Sequence, residues 1–109
     1  MKSKQLVLVL AEPTQGMDDE FHRYYEDVHL DEVIKTAGFS SAQRFGLVDQ
    51  TGRECPLPHL ALYEVEVEAG ESAIETINRT RAERIQSDSL NRRTAGVWVF
   101  EPLGPRHEG

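Results

Sequence analysis

A tyrosine and a histidine one helical turn apart carry the clearest chemistry in this chain. They are Tyr25 and His29, in the stretch Phe21-His22-Arg23-Tyr24-Tyr25-Glu26-Asp27-Val28-His29-Leu30. At about 3.6 residues per helical turn, Phe21, Tyr25 and His29 fall along one face, and Tyr24 and Val28 widen it into a stripe that has to be buried. An imidazole and a phenol at the edge of a packed surface can both donate, accept and move protons. Ordinary imidazole titrates near pH ~6.5, so His29 is the candidate general acid or base and Tyr25 its orienter or an oxyanion donor. Phe21, Tyr24, Tyr63 and Trp98 are the candidate substrate-lining aromatics. The competing reading of His29 is structural: an imidazole at a helix end that hydrogen-bonds a carbonyl.

The elements that must position these groups follow from patterning. Residues 5–11 are almost wholly apolar and β-rich, which predicts a strand covered on both faces. Asp18 and Asp19 put negative charge where a helix begins, and that helix runs to about His29. Leu30 and Ile34 would fall on its far side if it continued straight. A break is therefore expected, with Asp31 capping a short turn over residues 32–35 and Gly38 ending it. Residues 39–48 read as a second strand. In residues 59–67, His59, Ala61, Tyr63, Val65 and Val67 alternate with Leu60, Leu62, Glu64 and Glu66 as a third strand. Residues 71–85 read as a helix and residues 96–101 as a fourth strand. Arg79, Arg81, Arg84, Arg92 and Arg93 are interspersed with Glu75, Glu83 and Asp88, and so read as a solvated face.

The order strand, helix, strand, strand, helix, strand is that of a ferredoxin-like βαββαβ fold of the α+β class. It makes a four-stranded antiparallel sheet with two helices on one face. The other face would expose some of Leu6, Leu8, Phe45, Leu60, Leu62, Trp98 and Phe100. Packing two copies sheet to sheet into a barrel is the simplest remedy, so a homodimer is expected.

With 109 residues there is room for a single domain, with its core over residues 4–103 and a loose tail at 104–109. A net charge of −7 without a basic stripe argues against nucleic acid and against an anionic membrane surface. No apolar run is long enough to span a bilayer and no signal peptide is evident. Cys55, the lone cysteine, suits a reducing cytoplasm and is a poor candidate nucleophile. No phosphate-binding loop or nucleophile elbow is present. His22, Glu26 and His29 have a spacing that could hold a metal, but the first two sit on the polar flank, so no metal is assigned.

The pattern Phe21-x-x-x-Tyr25-x-x-x-His29-Leu30-x-Glu32-Val33, followed by Gly38-Phe39, resembles the EthD-like group of the dimeric α/β-barrel superfamily. Ala37 stands where relatives often carry proline. Leu60-Ala61-Leu62-Tyr63-Glu64-Val65 and Trp98-Val99-Phe100 resemble the third and fourth strands of that group. The resemblance implies a homodimer with a pocket between sheet and helices in each subunit and His29 lining it. The expected activity is cofactor-independent acid–base chemistry on an apolar or aromatic carbonyl compound: cyclisation, dehydration or isomerisation. Two other readings stay open, a non-catalytic ligand-binding or accessory protein and an oxygenase that works with or without haem.

Overall fold

The computed structural model describes residues 1–109. Four strands, β1 (Lys2–Ala11), β2 (Ser41–Gly46), β3 (His59–Glu68) and β4 (Gly96–Phe100), form one antiparallel sheet in the order β2-β3-β1-β4. Three helices, α1 (Asp18–Tyr24), α2 (Leu30–Ala37) and α3 (Ala73–Thr80), complete the α+β fold. Both connections that carry helices place them over the same face, in agreement with the ferredoxin-like order. No helix is long and apolar enough to cross a membrane.

Strand alternation decides which residues meet the helices. Val7, Val9 and Ala11 of β1 and Ala61, Tyr63, Val65 and Val67 of β3 point to the covered face, where they pack with Phe21, Tyr24, Tyr25, Leu30, Val33, Ala37 and Phe39. Gln5 belongs to this face and is buried. Its Oε1 accepts from the Ala73 backbone N–H at 2.9 Å and its Nε2 donates to the Glu71 carbonyl at 3.0 Å. A strand side chain thereby holds the start of α3, alongside the Ser72 hydroxyl that accepts from Ile74 N–H.

The opposite face carries Leu6, Leu8, Leu10, Leu60, Leu62, Phe45, Trp98 and Phe100. Phe45 is 42%, Trp98 44% and Phe100 54% exposed. β1 is therefore covered on one face within the single chain, where its apolar run predicted cover on both. The Trp98 indole lies against Gly96, where an added Cβ would sit 2.5 Å from the ring.

The expected break at Leu30 is absent. The chain passes from α1 through one π-helical turn, Tyr25–His29, directly into α2, and the Leu30 N–H reaches back to the Tyr25 carbonyl. This wider turn takes in an extra residue and shifts the phase of the helix. Leu30 and Val33 are consequently buried on the same side as Phe21 and Tyr25, and no cap at Asp31 is needed. Gly38 ends α2 in the left-handed conformation, at φ 71°. The helix predicted over 71–85 is shorter. It leaves α-geometry after Thr80, makes a 3₁₀ turn at Arg81–Glu83 and runs extended from Arg84.

Candidate functional site

The π turn decides how His29 is held. In an uninterrupted α-helix His29 would stack over Tyr25, four residues back. With the extra residue, Tyr24 becomes its partner. The two rings stack at 4.9 Å between centroids, and the Tyr24 hydroxyl lies 3.0 Å from His29 Nδ1. Tyr25 meets the imidazole edge-on at 5.1 Å, with no hydrogen bond between them. The orienting contact expected of Tyr25 thus falls to Tyr24, while Tyr25 keeps a place in the lining.

The Tyr24 hydroxyl also donates to the Ile85 carbonyl, at 2.8 Å. A phenol has one hydrogen and a carbonyl can only accept, so both bonds form only if His29 Nδ1 carries a proton and donates it to Tyr24 Oη. Nε2 is then the atom of the neutral ring with a free lone pair. Burial, followed by the charges of Arg84 and Arg92, lowers the His29 pKa to about 4, so the neutral ring prevails at neutral pH. Ile85 is itself pinned, its N–H donating to Glu32 Oε1 at 2.9 Å.

His29 opens onto a cavity of about 300 Å³ between the sheet and the helices. Its apolar wall includes Val9, Val33, Phe39, Ile77 and Leu90, with Tyr25 and Tyr63 among the lining. Every buried side-chain polar atom in the molecule has a partner. The hydroxyls of Tyr25 and Tyr63 and His29 Nε2 make no hydrogen bond within the protein. These three atoms are therefore reached by solvent, and the cavity is the space they share. Burial raises both phenols, Tyr25 to about 12 and Tyr63 further, so each remains an O–H donor.

The outer wall comes from residues 84–95, a segment without regular structure. It is tied to the β1–α1 loop by Thr14 N–H to the Ser89 carbonyl at 2.7 Å and Asn91 N–H to the Glu12 carbonyl at 3.1 Å. It brings Gln86, Leu90, Arg92 and Ala95 to the cavity, while Arg81 and Arg84 open and close the 3₁₀ turn that follows α3. The arginine-rich stretch that read as a solvated face thus divides, and Arg81, Arg84 and Arg92 line the cavity. Patterning could not reveal this, because the stretch has no helical period once α3 ends.

Of the other candidates, Phe21 is fully buried in the core behind Tyr25 and does not line this cavity. Tyr24 acts through His29. Trp98 projects from the opposite sheet face, because β4 residues alternate and its neighbours Val97 and Val99 take the covered side. His22 and Glu26 turn away from His29: Arg44 bonds His22 Nδ1 at 2.9 Å and Glu26 at 3.5 Å. The three positions do not converge, and no three His, Cys, Asp or Glu side chains gather as a metal site would need. Cys55 is half-buried and its thiol donates to the Leu57 carbonyl.

Comparison with known families, curated proteins and solved structures finds no match to this chain.

Proposed function

We propose that this protein is a small-molecule enzyme of the EthD-like, polyketide cyclase-like kind, working by acid–base chemistry on an apolar or aromatic carbonyl compound. The observation that carries the reading is the convergence on one cavity of a base and two acids: the lone pair of His29 Nε2 and the hydroxyls of Tyr25 and Tyr63. In the proposed step Nε2 takes a proton from the carbon beside a carbonyl. The C–H electron pair moves into the C–C bond, the carbonyl π pair moves to oxygen, and a tyrosine O–H donates to the resulting enolate. The imidazolium then returns its proton, to another carbon for isomerisation or to a departing hydroxyl for dehydration. The Tyr24 bond leaves Nδ1–H in place throughout, so Nε2 is the nitrogen that gains and loses the proton.

Two copies packed through the open sheet face would complete a dimeric barrel. Support comes from the exposed Phe45, Trp98 and Phe100 beside Leu8 and Leu62. The lone cysteine accords with a reducing cytoplasm.

The test is exchange of α-protons of aryl ketones and β-diketones for deuterium in D₂O, followed by proton NMR. Wild type is expected to accelerate exchange, and His29→Gln to lose at least about 10²-fold of that acceleration. Binding of these compounds with no exchange above the His29→Gln variant would replace the enzyme with a ligand-binding protein. Consumption of oxygen with phenols instead would favour an oxygenase.

A further inference from the structure

We infer that the ligand of this cavity carries an oxyanion, a carboxylate or a phosphate ester, which Arg81, Arg84 and Arg92 receive while the apolar body lies against Val9, Phe39 and Leu90. This rests on the proposal that the cavity binds a small molecule, and it adds the chemical class.

Charge is placed here against the trend of the chain. The protein has net charge −7, yet three guanidinium groups surround one cavity. The ion pairs of the molecule join Met1 to Glu68, Lys4 to Glu64, Arg44 to Glu26 and Arg106 to Glu108, and none involves these three arginines. Glu32, whose charge bears on Tyr24, is occupied by the Ile85 N–H.

Arg84 is the most telling of the three. It is only 7% exposed and has neutral partners alone: Thr80 Oγ1 at 2.8 Å and Thr36 Oγ1 at 3.1 Å from Nη1, and the Ile77 carbonyl at 3.0 Å from Nη2. A buried charge without a counter-charge is costly. Both threonine hydroxyls donate to backbone carbonyls of their own helices, so they can only accept from Arg84 and hold it in one orientation. Three of the five guanidinium N–H groups are used in this way. Nε–H has no partner in the protein, so it too is reached by solvent. A rigid cation with spare planar donors suits a bidentate oxyanion. Arg92, braced at 3.0 Å by Gln86 Oε1, and the exposed Arg81 extend the positive rim. An anion there would also offset the two charges that depress His29, making it a stronger base only when the cavity is filled.

Calorimetry with 2-naphthoate, 2-naphthamide and 2-naphthyl phosphate tests the inference, with the His29 ring followed by NMR. The expected result is at least about ten-fold tighter binding of an anionic probe than of the amide. That preference should shrink about ten-fold in Arg92→Gln, an exposed site where folding is not at issue, and in Arg84→Gln once its circular dichroism matches wild type. The anionic probe should raise the His29 pKa and the amide should not. Which anion binds tighter distinguishes carboxylate from phosphate ester. Equal binding of naphthoate, naphthyl phosphate and naphthamide, or a preference unmoved in Arg92→Gln, overturns the oxyanion and leaves the cavity as a neutral-ligand site. No binding of any probe overturns the inference and the small-molecule reading together.

Discussion

At the residue scale, His29 is a neutral imidazole held in one tautomer. The Tyr24–Ile85 relay assigns the proton to Nδ1, and burial with two nearby arginines keeps Nε2 unprotonated near neutrality. The proposed proton transfer needs the neutral ring. Under that proposal, kcat/KM should hold down to acid pH and fall only as pH drops through about 4, well below the ordinary imidazole value. Stability has a related dependence. The folded ring has a lower pKa than the unfolded one, so between about 6.5 and 4 the unfolded chain binds more protons and stability falls as pH falls. The loss is on the order of 3 kcal/mol. Urea midpoints measured across this range should drop less steeply in His29→Gln than in wild type. Tyr24→Phe should keep the stacked ring but lose the relay, lowering kcat about ten-fold or more with little change in KM, whereas a purely structural role would leave kcat intact once folding is verified.

At the element scale, two devices place the site. The π turn rephases the helix so that Tyr24 meets His29 and Leu30 turns inward. Gln5 fastens the start of α3 to the sheet, and α3 in turn carries Ile77 to the cavity wall and Thr80 to its hydrogen bond with Arg84. Gln5→Leu should leave the buried Ala73 N–H without its partner and cost about 1–3 kcal/mol in chemical denaturation. At Gly38, whose left-handed φ of 71° closes α2, Gly38→Ala should cost about 1 kcal/mol by the same measurement, because a Cβ is strained there even though nothing lies near it.

At the scale of the whole molecule, the sheet has one face packed by helices and one bearing half-buried Leu8, Leu10, Leu60 and Leu62 beside exposed Phe45 and Trp98. A groove of about 460 Å³, lined by Leu10, Phe45, Leu47, Val48, Leu57 and Leu60, continues this surface toward the β2–β3 loop. If two copies pair here, Trp98→Glu should give monomers in sedimentation velocity, and dilution of wild type should shift the emission of its single tryptophan to longer wavelength. A monomer at all concentrations, with unchanged emission, would remove the dimer. The cavity lies on the other side of the sheet, so disruption of the pairing tests the assembly separately from the chemistry.

The order of elements, the strand faces and the inward position of His29 were all legible in the sequence, because periodicity is a local property that burial enforces on each strand and helix. The Gly38 stop was legible for the same reason: few residues but glycine accept that backbone conformation. Three features belong to tertiary structure. The extra residue in the turn after Tyr24 has no sequence signal and is tolerated because it buries Leu30 and Val33. The choice of Tyr24 over Tyr25 as the imidazole's partner depends on that turn and on a carbonyl 61 residues away. The arginines, which alternate with acids along the chain, face a common cavity only because residues 84–95 fold across its mouth, and no local rule relates positions 81, 84 and 92 to a histidine at 29.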